Sequence, residues 1–202
     1  GIERSGLEPG EQAALAVDVA ATQLLREGRY HLACEGRSLA GAELVLELRS
    51  WCDAFPIVSL EDPLAEDDTA GWLLAGRRLG RLQLLGDDLF ATSPARLEEG
   101  VATGLANAVL VKPNQVGTLT DARRVLERAR EAGYATVLSA RSGETEDAWL
   151  ADLAVGWRTG QLKVGSTTRS ERTAKWNRLL RIEAEHPDAE LAGRRALAPL
   201  RD

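Results

Sequence analysis

The stretch "NAVLVKPNQVGT", Asn107 to Thr118, sets the reading of the whole chain. Four apolar residues, Ala108 to Val111, run straight into Lys112, and turn-forming residues follow. A short apolar run bounded in this way reads as a strand buried on both faces. Pro113 biases Lys112 towards extended backbone, so the lysine stays at the strand's end. An ammonium placed there either reaches along a rim to solvent or serves as a base.

The same unit recurs along the chain. A short apolar strand ends in a charged residue, then come a polar loop, an amphipathic helix and a glycine. The strands read Leu15–Asp18, Ile57–Glu61, Leu82–Asp87, Val109–Lys112, Thr136–Ser139 and Leu162–Val164. Between them, Ala122, Val125, Leu126 and Ala129 share one helix face, with Thr120 as its expected N-cap and Gly133 as its stop. Ser93 and Pro94 open another helix. Leu44, Leu48, Trp51 and Phe55 form a third stripe, and helical periodicity closes the domain from Thr173 to Glu185. Successive strand ends, at Glu61, Asp87, Lys112, Ala140 and Lys163, lie about 25 residues apart. That is the pitch of a (β/α) barrel, and an open doubly wound sheet shares it. Useful polar groups at strand end after strand end favour the barrel, where those ends converge on one mouth. The expected fold is therefore α/β, a TIM-type barrel, incomplete because about six of its eight strands are visible. Residues 1–186 form the barrel portion and 187–202 a C-terminal tail.

Composition narrows the function. The chain has 202 residues, with 25 basic against 31 acidic, a balance that argues against nucleic acid as a partner. No apolar run is long enough to span a membrane, and "GIERSGLEPGEQ" has no apolar stretch of the secretory-leader kind. Cys34 and Cys52 read as packing residues of a reduced, cytoplasmic protein. With His31 and His186 as its only histidines, the chain has no His-rich metal site.

Asp18, Glu61 and Asp87 each end an apolar strand. Three carboxylates at one mouth repel unless a cation sits among them, and hard oxygen ligands select Mg²⁺ or a similar ion. The alternative is three solvated loop acids. Lys112 follows at the next strand end, and Lys163 stands at the last. Arg141 and Ser142 open a glycine-containing loop, a donor set that suits a phosphate or carboxylate.

These residues carry a resemblance. "LAVDVAATQLL", "FPIVSLEDPLAEDD", "LQLLGDDLFATSPARLEEGV", "AVLVKPNQVGTLTDA" and the run from "SARSGETED" to "LLRIEAE" resemble the C-terminal part of enolase, the phosphopyruvate hydratase of glycolysis, in that family's order. The resemblance implies that Asp18, Glu61 and Asp87 hold Mg²⁺ and that Lys112 takes the C2 proton of 2-phosphoglycerate. It implies that Lys163 faces the substrate carboxylate and that Arg141 and Ser142 bind its phosphate. It also implies a homo-oligomer, a dimer whose interface lies near the "RSER" run, Arg169–Arg172.

The chain departs from the pattern in three ways. The family's histidine before the Arg-Ser pair is Ala140 here, and a methyl cannot donate a hydrogen bond. The family's Ser-Glu after the first metal aspartate is Thr22-Gln23. No counterpart is visible of the N-terminal domain and first barrel strands, which in the family supply the general acid and the lids. The expectations are therefore an enolase-type lyase needing that N-terminal part, a relative with altered substrate such as the carboxyphosphonoenolpyruvate synthases, or a non-catalytic remnant. Retention of both lysines, all three carboxylates and the Arg-Ser pair argues against the last.

Overall fold

The computed structural model describes residues 1–198. Strand β1 (Leu15–Asp18) opens a parallel sheet. A small antiparallel sheet follows, made of β2 (Leu25–Arg26), β3 (Arg29–Leu32) and β4 (Arg37–Leu39). Helices then alternate with strands: α1 (Gly41–Ala54), β5 (Ile57–Glu61), α2 (Thr69–Leu79), β6 (Gln83–Gly86), α3 (Pro94–Thr103) and β7 (Ala108–Val111). The order continues with a single turn α4 (Pro113–Val116), α5 (Leu119–Glu131), β8 (Ala135–Ser139), α6 (Trp149–Gly156), β9 (Gly160–Lys163) and α7 (Ser170–Glu185). The larger sheet runs β1-β5-β6-β7-β8-β9, all parallel.

That sheet is curled. Gln83 on β6 and Gln161 on β9 have two strands between them, yet their side-chain amides exchange hydrogen bonds at 2.9 and 2.8 Å. Lys163 on the last strand reaches Asp18 on the first at 2.9 Å. A flat sheet would hold β1 and β9 more than 20 Å apart at about 4.8 Å per strand. The expected incomplete TIM-type barrel is what forms, with β1 and β9 as its two edges.

Strand alternation divides the side chains into two layers. Val109 and Val111 face the helices, where they meet buried Val125, Leu126 and Ala129 of α5. Ala108 and Leu110 face the barrel interior with Leu85, Val137 and Ala198. The bottom of the interior is polar and fully paired: Gln83 also donates to Ser59 at 3.0 Å, and Gln161 to the Ala196 carbonyl at 2.7 Å.

Several details differ from the sequence expectation. Thr118, not Thr120, caps α5: it is extended, and its hydroxyl accepts the Asp121 N–H at 3.1 Å. Gly117 at φ +85° ends α4, so the next helix starts at once. Phe55 lies beyond the end of α1 and is 57% exposed, so the buried stripe there is Leu44 and Leu48, with Trp51 packed partly against it. Cys34 is exposed rather than packed, while Cys52 is half-buried. The antiparallel sheet was not anticipated. It is held by Tyr30, which is 1% exposed, donates to Asp68 at 2.8 Å and accepts the Ala65 N–H at 3.0 Å.

The segment read as a tail contributes to the barrel. A 3-10 turn at Gly193–Ala196 packs against β9, and Ala198 N–H bonds to Gln83 at 3.3 Å. Arg194 bonds the Gly10 carbonyl and pairs with Glu11 at 3.1 Å, tying this segment to the stretch before β1. The end of the tail, 199–202, lies outside the described residues.

One close fit anchors the mouth. Phe90, 1% exposed, sits in a slot floored by Gly86 and Gly100, where a Cβ at Gly86 would come within 2.6 Å of the ring. The ring follows Asp87 by three residues, so it sets where that loop lies. Gly86→Ala should cost about 1–3 kcal/mol through overpacking. The check is a lower denaturation midpoint at unchanged m-value; equal stability would mean the ring is loosely held.

Candidate active site at the barrel mouth

Side chains of the interior layer alternate along each strand, so the residue at the C-terminal end inherits the parity of those below it. Asp87 follows Gln83 and Leu85; Lys112 follows Ala108 and Leu110; Lys163 follows Gln161; Glu61 follows Ser59. Each of these lower residues faces the interior. The charged residues therefore point into the barrel's mouth. A cavity of about 440 Å³ lies there, lined by Asp18, Asp87, Lys112, Ala140, Arg141, Ser142 and Lys163 among others. Glu61 sits just below, in an adjoining interior cavity of about 400 Å³ that Asp18 and Lys163 also line.

The carboxylates are neutralised in pairs. Lys163 donates to Glu61 at 2.6 Å and to Asp18 at 2.9 Å, bridging the first two strand ends. Lys112 donates to Asp87 at 2.5 Å. Its backbone N–H goes to the buried Thr92 hydroxyl at 3.0 Å, and that hydroxyl donates to Gln115 of α4. The lysine is thus held from both its backbone and its side chain.

Asp18, Glu61 and Asp87 do not bring one oxygen each within 4.8 Å, for each is turned towards its lysine; among the described residues the acidic group that does is Asp62, Asp87 and Asp88. Sequence reasoning singled out the first member of each acidic doublet, Glu61-Asp62 and Asp87-Asp88, and passed over the second. The doublets were the available signal. Asp62 has a distinct task. At φ +39° its backbone is left-handed, and its two oxygens accept the N–H groups of Asp87 and Asp88 at 3.0 and 2.7 Å. It braces the loop that presents Asp87. Gln23 and Arg172 also line the mouth and were not anticipated as site residues.

Burial shifts these groups. Burial pushes the Glu61 carboxyl up to about 7; Lys163 opposes this, and Asp18 and Asp87 add repulsion. Burial likewise pushes Asp62 up to about 7 against its two backbone donors. Asp88 is raised by burial and by neighbouring Asp87. Burial disfavours the Lys163 ammonium, but its bonds to Glu61 and Asp18 outweigh that and raise its value.

The donor set fits a hard cation. Asp87 Oδ1 is buried and has no hydrogen-bond partner, a state that normally costs free energy. Beside it are oxygen-only ligands without thiolate or imidazole, the chemistry Mg²⁺ selects. Lys163 already supplies a positive charge to two of the carboxylates.

The signs give a pH window. Glu61 and Asp62 have raised folded values, so their contribution to stability is fully present below the ordinary carboxylate range and is lost as pH rises towards about 7. A cation held by Glu61 needs that carboxyl ionised, so its binding strengthens over the same interval and releases protons. Mg²⁺ affinity should therefore rise from about pH 6 to pH 8. Calorimetry in buffers of different ionisation enthalpy checks this; pH-independent affinity would remove Glu61 from the metal site.

No described helix is long and apolar enough to cross a membrane. A comparison with known families matches residues 1–199 to the family described as "Enolase, C-terminal TIM barrel domain". The match runs through the segment 193–198 that packs on the barrel. A curled parallel sheet, acidic and basic strand ends sharing one mouth, and a family match over nearly the whole chain agree: the protein belongs to the enolase C-terminal TIM-barrel family.

Proposed function

We propose that this chain carries the proton-abstraction and metal-binding part of an enolase-type lyase, which dehydrates 2-phosphoglycerate to phosphoenolpyruvate in glycolysis. The observation that carries the proposal is the pairing of Lys112 with a carboxylate whose other oxygen is buried and unpartnered, with Lys163 at the same mouth.

Asp18, Glu61 and Asp87 would hold Mg²⁺. When bound, the ion supplies positive charge against the substrate's carboxylate, which makes a weakly acidic C–H abstractable. As the base, Lys112 would act as the neutral amine, its ammonium proton having passed to solvent, and with Asp87 engaged as a metal ligand that amine would take the proton from C2. Lys163 faces the substrate carboxylate and holds charge that builds there. Arg141 and Ser142, at the exposed side of the cavity, bind the phosphate. Departure of the C3 hydroxyl requires an acid, which the resemblance assigns to the N-terminal part of the family. Among the described residues β1 and β9 are each paired on one side only, edges to which the further strands of such a part would add, and assembly as a homo-oligomer belongs to the same reading.

A second reading rests on Ala140. Its methyl lines the mouth where the family pattern has a histidine, so the pocket would suit a related phosphorylated or phosphonylated acid, as in the carboxyphosphonoenolpyruvate synthases.

Exchange of the C2 proton needs the base but not the acid, so it is the more direct assay. Lys112→Ala should lower Mg²⁺-dependent exchange of 2-phosphoglycerate in D₂O by about 100-fold or more, while Mg²⁺ affinity changes little. Equal loss of both would rule out Lys112 as the base. With that N-terminal part supplied, Ala140→His should raise phosphoenolpyruvate formation, followed by its absorbance, if the missing histidine limits the rate. No gain in a weakly active protein would favour the altered-substrate reading.

A further inference from the structure

We infer that buried Lys175 and half-buried Glu144 form a latch that positions the Arg141–Ser142 loop for an anion, making both positioning residues for the phosphate end of the substrate. The inference rests on the reading of that loop as phosphate-binding.

Lys175 lies on α7 and is 1% exposed, although lysine is among the residues least often fully buried. Its amino group has three partners. It donates to the Thr145 carbonyl at 2.8 Å and to the Glu171 carbonyl one turn back at 2.9 Å, and it lies 3.6 Å from Glu144 Oε2. Two of its three N–H donors are thus used by backbone carbonyls, and Glu144 answers its charge as an ion pair. Two of the three partners belong to the loop that follows β8.

Glu144 passes the constraint on. Its other oxygen, Oε1, accepts the Arg141 N–H at 2.8 Å. The loop is also tied at its start, where the Ala140 N–H bonds the Lys163 carbonyl at 3.0 Å. Gly143 at φ +78° turns the chain between these ties. Arg141 and Ser142 remain exposed at the mouth. A continuous chain of contacts thus runs from the buried face of α7 to the backbone of the anion-facing residues.

Charge gives the arrangement a reason. Glu144 on its own would repel an anion held by Arg141. Lys175 neutralises it from beneath, so the carboxylate bonded to the Arg141 backbone does not offset the Arg141 guanidinium. Packing alone would be met at lower cost by a hydrophobic residue on α7, since burying an ammonium carries a desolvation penalty.

The test uses the full chain and inorganic phosphate as the probe, with binding followed by calorimetry and loop dynamics by hydrogen exchange. Lys175→Met, similar in shape but uncharged, should weaken phosphate binding about tenfold or more and speed amide exchange in 141–147. Mg²⁺ affinity and exchange in the sheet should stay within about twofold, a selectivity that general destabilisation would not produce. Glu144→Ala should behave alike, and Glu144→Gln, which keeps an acceptor for the Arg141 N–H, should recover most of the affinity. Should Lys175→Met fail to fold, the Glu144 pair decides, since that side chain is 22% exposed. Unchanged phosphate binding in the variants, parallel loss of phosphate and Mg²⁺ affinity, or no phosphate binding by the parent protein would each overturn the latch. Selective phosphate loss in a protein that never exchanges the C2 proton of 2-phosphoglycerate would sink the lyase reading and leave the latch standing.

Discussion

The mouth of this barrel depends on compensation of charge between strands that are distant in sequence. Three strands deliver carboxylates and two others deliver ammonium groups, and each set needs the other. Lys163 spans 145 residues of sequence to reach Asp18 and 102 to reach Glu61. These bonds join the last strand of the sheet to the first two, so they neutralise the site and also draw the open edges together. A buried carboxylate deprived of such a partner would be strongly disfavoured, and burial raises the Glu61 value even with Lys163 in place.

Around that compensation the loops of the mouth are held by buried polar side chains rather than by apolar packing alone. Asp62 takes two backbone N–H groups of the Asp87 loop, Thr92 holds Lys112, and Lys175 with Glu144 holds the Arg141 turn. Phe90 between two glycines is the apolar counterpart, fixing the same Asp87 loop from the helix side. Groups that must present charge to a ligand cannot themselves be covered, so their positions are set one step behind, where hydrogen bonds are shielded from water and therefore stronger.

The strands were legible because period and position identify them. An apolar run of four or five residues that stops at a charge is too short for a helix and suits a strand covered on both faces. The structure puts strands at Leu15–Asp18 and Ile57–Glu61 with the bounds the sequence suggested. Local chemistry was less decisive. Thr118 and Thr120 are both plausible caps; the choice fell to Thr118 because Gly117 breaks the preceding turn. The sheet of β2, β3 and β4 was invisible because its strands are two to four residues long and largely polar, and what secures them is Tyr30 meeting Asp68 from 38 residues away. The stretch after Glu185 read as a tail because its contacts, to Gln83, Gln161 and Gly10, are all remote in sequence.

What the sequence by itself determined is the parallel α/β architecture, the charged residue at the end of every strand of the larger sheet but β8 and, through the two-residue alternation of strands, the side of the sheet each one faces. Tertiary structure decided the pairing. Which lysine meets which carboxylate, which acids crowd together and which carboxylate oxygen is left without a donor follow from the curvature that brings the end of β9 within side-chain reach of β1. Side-chain direction is a local property of an extended backbone, whereas the distance between two strand ends depends on every strand between them.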